Sequence, residues 1–291
     1  MGGDKMGLKG SNWKEIEWKP VKWEPVANGE KKAHYSGTIK VENKLLYYRG
    51  NLSLLNRPLV AIVGTRRPLK YSRTITYQLA RLFASAGIGV VSGGAEGIDR
   101  EAHLGSFPNT VLVSPSSLDH PYPKGNRGLI ERIGREGVLL SQYRENFLPR
   151  KYTFLERNRI IIQMASLVII PEGKEKGGSA NSYRLAKELK KPVWTIAHRM
   201  GDSPLSLKIV SEGGWAIWTL DWLEKYLKEV SKEMGISTDS RVLEKGLEPY
   251  WSRDTLFGKG TSGGGLFGAE LDSSPEREAL RELFSDTPSK F

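Results

Sequence analysis

From residue 60 onward the sequence alternates short apolar runs with amphipathic stretches, and no other feature limits the possible folds more. Residues 60–64 (Val-Ala-Ile-Val-Gly) read as a buried strand, and residues 72–86 as a helix with one apolar face. Further apolar runs fall at 88–91, 110–113, 138–140, 167–170 and 193–196. Helical patterns separate them near 98–103, 129–135, 154–165 and 179–191. Runs this short are strands rather than helices, and the lack of a polar alternate face means that both faces are covered. Repeated βα units therefore predict an α/β fold of extended Rossmann-like type, a mostly parallel sheet with helices on both faces.

The flanks read differently. Residues 1–44 form a Trp/Lys-rich N-terminal leader in which Trp13, Trp18 and Trp23 stand among charged residues with partly strand-like alternation. Such rings can stack on bases or pin the leader to the main domain, the commoner arrangement. The Rossmann-like domain spans 45–234 and ends in an amphipathic helix over 220–234. Residues 235–272, with the run Gly258-Lys-Gly-Thr-Ser-Gly-Gly-Gly, read as a flexible linker. Residues 273–291 form a short C-terminal helical tail, a possible winged-helix remnant, opened by Ser274 and Pro275.

Composition removes several function classes. With no cysteine there are no disulfides, no thiolate-bound zinc and no thiol catalysis. The four histidines, His34, His103, His120 and His198, are scattered without i, i+4 pairs, so neither a metal nor a cofactor is expected. No apolar stretch approaches the ~18 residues of a membrane span, and residues 1–18 lack the apolar segment of a signal peptide. A cytoplasmic location and no membrane partner are the expectations. The net charge of +11 suits a polyanion, nucleic acid first. Lysine- and glutamate-rich surfaces also mark thermophile proteins, so charge alone leaves both readings open.

In an open parallel sheet, ligands bind beyond the carboxyl ends of the strands. After the first strand stand Gly64, Thr65, Arg66 and Arg67, a tight turn carrying two guanidinium forks suited to phosphate. After the next comes Ser92-Gly93-Gly94-Ala95-Glu96-Gly97, a glycine-rich loop opening a helix, whose N–H groups can hold an anion. The strand ending at Ile170 leads into Lys174 and Lys176 and then Gly178 and Ser179 at another helix start. The segment 149–162 combines Arg150, Lys151, Arg157 and Arg159 with Tyr152 and Phe154. Cations for phosphates interleaved with rings for bases are what a single-strand binder needs. Ser92, Asp99 and His103 crowd one loop and helix without a nucleophile elbow, so no catalytic triad is expected, and Asp99 is expected to tie the loop.

In order along the chain, these pieces resemble the DprA/Smf family (DNA-processing protein A). They are Tyr48-Arg-Gly-Asn, the Val60–Arg66 turn, Ser92-Gly-Gly-Ala-Glu-Gly-Ile-Asp99, Leu118-Asp119, Tyr122-Pro123, Phe154 with Arg157-Asn158-Arg159, Gly178-Ser179-Ala180 and Gly213-Gly214-Trp215. The resemblance implies a non-catalytic protein that binds single-stranded DNA, forms homodimers and loads a RecA-type recombinase during natural transformation. By similarity Gly64, Thr65, Arg66, Gly93 and Gly94 touch phosphates, and Lys151 and Phe154 meet backbone and base. Arg157, Asn158 and Arg159 with Gly178 and Ser179 complete the pocket. Lys174 and Lys176 join it on charge rather than on a motif. The family pattern of glycines before Leu118 is absent, replaced by Ser114-Pro115-Ser116-Ser117.

Two alternatives share a similar sheet. A nucleoside-monophosphate phosphoribohydrolase needs a glutamate shortly after its Gly-Gly-x-Gly-Thr turn, whereas Ala180, Asn181, Ser182 and Tyr183 follow Ser179 here. A sensor of a nucleotide-derived signal needs only one phosphate pocket, and the strongly basic charge favours a strand over it.

Overall fold

The computed structural model describes residues 16–26 and 34–236, all within the first of the chain's two units, Met1–Pro249. Trp13, the expected linker beyond residue 236 and the expected tail over 273–291 lie outside the described residues. The sheet starts earlier than the apolar runs announce. β1 (Trp23–Pro25) and β3 (Lys44–Gly50) each pair antiparallel with β2 (Gly37–Val41). A tight turn with Glu42 at φ +52° joins β2 to β3. The expected break after residue 44 thus meets the first residues of β3, and the sheet takes in residues 23–25 and 37–44 from the leader.

The βα units follow: β4 (Leu59–Ile62), α1 (Lys70–Ser85), β5 (Gly89–Ser92), α2 (Ile98–Ser106), β6 (Thr110–Val113), α3 (Arg127–Glu136) and β7 (Val138–Ser141). Then come α4 (Lys151–Met164), β8 (Leu167–Ile169), α5 (Gly178–Glu188), β9 (Val193–Ile196), α6 (Pro204–Ser211), β10 (Trp215–Ile217) and α7 (Leu220–Glu233). The strand order is β1-β2-β3-β7-β6-β5-β4-β8-β9-β10, parallel from β7 to β10 and antiparallel from β1 to β7. This is the Rossmann-like α/β architecture, extended at both edges. β2, β3, α6 and β10 appear beyond the elements read from the sequence: all but β3 are short, and Gly201, Gly213 and Gly214 interrupt the periodicity around the last two.

Period-two alternation sorts the core into two layers. Val91, Val111, Val113 and Leu140 face Ile160, Ile161 and Ala180 of α4 and α5. Val60, Ile62 and Val90 face Leu79, Phe83, Ile98 and Leu227 of α1, α2 and α7. Strands this central have every side chain buried, each worth about 1.5–3 kcal/mol for a Val, Leu or Ile. The leader closes the amino edge. Lys19 N–H donates to Ser166 Oγ just before β8, and Pro20 bridges Pro58 just before β4. On one side Trp18 lies 6.1 Å from Phe83 and donates from Nε1 to Tyr226 Oη at 3.2 Å. On the other, Trp23 Nε1 donates to Asn56 Oδ1 at 3.0 Å. Both tryptophans are anchors to the domain. Among the described residues no helix is long and apolar enough to cross a membrane.

Candidate nucleic-acid interface

Strand order reverses at β4, whose neighbours are β5 and β8. Loops after these strands leave toward opposite faces and open a crevice at the carboxyl edge. α4 crosses this edge because it links β7 to β8 and must pass β6, β5 and β4. Its first turns therefore lie over the loop that follows β5. Thr153 fixes that start: its Oγ1 accepts from Arg150 N–H at 3.1 Å and donates to Arg150 O at 2.8 Å.

The loops are stitched together by backbone. Thr65 N–H donates to Glu172 O at 3.0 Å, and Ile98 N–H donates to Thr65 O at 3.1 Å. Gly97, at φ +77°, lets its loop approach Thr65 and Arg66: a Cβ there would lie 2.5 Å from Thr65 O. Asn126 Nδ2 donates to Gly94 O at 2.9 Å. Asp99 ties the glycine-rich loop as expected, accepting from Ala95 N–H at 3.4 Å and from the N–H groups of Gly64 and Gly93.

A cavity of about 100 Å³ results, lined chiefly by Arg66, Gly93, Glu96, Tyr122, Phe154 and Arg157. Both arginines approach the half-buried Phe154, with Arg66 Cζ 5.5 Å and Arg157 Cζ 5.9 Å from its ring centroid. Tyr122 meets that ring edge-on at 5.5 Å. Arg157 is only 5% exposed. Its Nη1 stands 3.8 Å from Asp99 Oδ2, an ion pair beyond hydrogen-bond reach. Its Nε and Nη1 have no hydrogen-bond partner among the described residues. Burial lowers the Arg157 pKa, Asp99 opposes that, and the Arg66 charge adds to it. A buried guanidinium with unpaired donors keeps a positive charge beside the crevice, where an anion is favoured. α1, α4 and α5 each begin at this edge with no acidic residue in the first turn, so their positive ends remain uncompensated.

The structure thus brings Arg66, Gly93, Phe154 and Arg157 together around one cavity. Gly64, Thr65 and Gly94 lie beneath it as loop junctions. Lys151 is exposed one turn before Phe154, and Asn158 is half-buried beside Arg157. Arg159 turns away, its Nη2 donating to Glu188 Oε1 of α5 at 2.7 Å. Lys174, Lys176 and Gly178 are exposed and Ser179 half-buried on the loop and helix start after β8, outside the cavity lining. Ala95, Glu96, Pro115, Tyr122 and Pro123 line the cavity without having been singled out as site residues. The last three stand in the loop after β6, at the carboxyl edge that also carries the loops after β4 and β5. Ser92 and His103 form no triad: Ser92 Oγ donates to Ile62 O at 2.6 Å, and His103 Nδ1 pairs with Thr110 Oγ1 at 2.7 Å. Burial holds the His103 pKa down at about 3.

A family model described as DNA recombination-mediator protein A matches residues 32–217. DNA processing protein DprA of Bacillus subtilis is 31% identical over 191 residues, 64% of this chain and 64% of that protein. The chain thus spans less than two thirds of the length of such curated relatives. Among solved structures, Helicobacter pylori DNA processing protein A, described for its single-stranded DNA binding mode, superposes with a TM-score of 0.63 at 34% identity. That match covers 73% of this chain and 97% of that one. DprA of Streptococcus pneumoniae superposes with a TM-score of 0.58 at 30% identity, covering 69% and 72%.

Proposed function

Since the chain belongs to the DNA recombination-mediator protein A family, we propose that it binds single-stranded DNA at the Phe154 cavity without catalysing a reaction on it. One observation carries the reading: Phe154, half-buried at the reversal point of the sheet, has two guanidinium groups within 6 Å of its ring, one exposed and one buried. A ring for a base beside cations for the adjoining phosphates is a single-strand site. Stacking on an aromatic face needs an unpaired base, which a duplex does not offer. The H. pylori relative, described for its binding of single-stranded DNA, supports the same ligand.

Family membership supports the further parts of the proposal: a homodimer that helps load a RecA-type recombinase onto incoming single strands in natural transformation. The test of binding is fluorescence anisotropy of labelled oligo-dT and of the matching duplex across a salt series. Tight single-strand binding that weakens steeply with salt, through counterion release, and much weaker duplex binding are expected. Equal binding of both forms, or none, overturns the reading.

A further inference from the structure

Among the cations and rings of the cavity stands one carboxylate that the binding of phosphate does not explain. Glu96 is exposed, lines the same cavity as Phe154 and Arg157, and makes no hydrogen bond or ion pair among the described residues. Its Oε1 lies against Gly125 of the turn before α3, where a Cβ would come within 3.2 Å of it. A negative charge here repels every phosphate that approaches Arg66 and Arg157. It is compatible with a strand only where it meets a hydrogen-bond donor, and a polynucleotide offers donors on its bases.

We propose that Glu96 is a specificity-determining residue that reads the edge of the base stacked on Phe154 and favours guanine. The inference rests on the single-strand reading of the cavity. Guanine presents N1–H and the N2 amine side by side, a pair that matches the two oxygens of a carboxylate. Cytosine and adenine offer one exocyclic amine, the group from which acidic side chains accept when they read cytosine. Thymine offers N3–H between two carbonyl oxygens, which the carboxylate repels. The order of preference is guanine, then cytosine and adenine, then thymine. The cavity holds little more than one flat group, so the reading concerns one base and leaves the rest of the strand to non-specific contacts.

The test compares short oligo-dT with the same strand carrying one central dG, dC, dA or no change, bound to the full chain and to Glu96→Gln. The amide keeps the size of the side chain but replaces one acceptor by a donor, so it loses the paired match to guanine. The single dG is expected to raise wild-type affinity about tenfold, and Glu96→Gln to bring the dG and dT strands within about twofold of each other. Equal wild-type binding of all four strands overturns the inference while leaving single-strand binding in place. So does a guanine preference that survives in Glu96→Gln. If no strand binds at all, the single-strand reading falls and the base preference falls with it.

Discussion

The Arg157 guanidinium occupies the space that a side chain on residue 93 would need: a Cβ on Gly93 would lie 1.2 Å from Nη1 and 2.2 Å from Cζ. The glycine in the loop after β5 is therefore matched to one arginine of α4, and the charge is held over the loop rather than in solvent. Gly93→Ala is expected to displace Arg157, cost about 1–3 kcal/mol of stability and lower single-strand affinity about tenfold. Because both changes remove one arrangement, Gly93→Ala and Arg157→Ala should not add. A double-mutant cycle on affinity checks this, with a coupling near zero as the contrary result.

The same arginine balances Asp99. Burial raises the Asp99 pKa, while Arg157 and the N–H groups of Ala95, Gly64 and Gly93 oppose it. With its folded pKa above the unfolded value of about 3.9, the group favours folding most below that value. This contribution is lost as pH rises through the folded pKa. Arg157→Ala removes the opposing charge and raises the folded value further. The variant should lose about 3 kcal/mol at neutral pH and distinctly less near pH ~4. Urea denaturation at both pH values measures the difference, and an equal loss at each speaks against an ionised, uncompensated Asp99.

Much of this arrangement is legible in the sequence, and the remainder is hidden for identifiable reasons. The apolar runs mark the central strands, so the loops carrying Arg66 and Gly93 fall at one edge by topology alone. Arg157 and Arg159, two positions apart, look alike in sequence. On a helix they point about 200° apart, and only the packing of α4 on the sheet decides which is buried and which meets Glu188. Tyr122 is further concealed, because a serine-rich turn separates it from β6. Ser116 Oγ donating to His120 O and Ser141 Oγ donating to Ser116 O fold that turn back over the edge.

Arg66 and Arg159 should separate in solution as they do in the fold. Arg66 is exposed at the cavity and lies over Phe154, so Arg66→Ala should weaken binding of all base sequences similarly and reduce the salt slope by about 1. Arg159 is engaged by Glu188 on the surface, and Arg159→Ala should change affinity less than about threefold, in keeping with the small worth of exposed ion pairs. Salt titrations of both variants measure this; equal losses would move the edge of the site toward α5.

Phe154 supplies the base-stacking surface, so Phe154→Ala should cost about 1–3 kcal/mol of binding. Phe154→Leu keeps apolar bulk but has no flat face, and should lose nearly as much. Phe154→Tyr keeps the face and should retain most of the affinity. Anisotropy on oligo-dT ranks the three, and a leucine variant equal to wild type would show that bulk rather than stacking matters.

The leader tests the other end of the sheet. Trp18 packs near Phe83 and bonds to Tyr226, while its neighbours Lys19 and Pro20 cross the amino edge at Ser166 and Pro58. The cavity lies at the carboxyl edge, on the far side of every parallel strand. A partly buried aromatic held in this way contributes through packing, so Trp18→Ala should lower stability by about 2–3 kcal/mol and leave the affinity for oligo-dT where it was. Thermal melting and anisotropy on the same variant read the two quantities separately. A loss of affinity in a variant that melts normally would make Trp18 a stacking residue and extend the binding track to the leader. A loss of stability alone identifies the leader as a strap that closes the amino edge of the sheet.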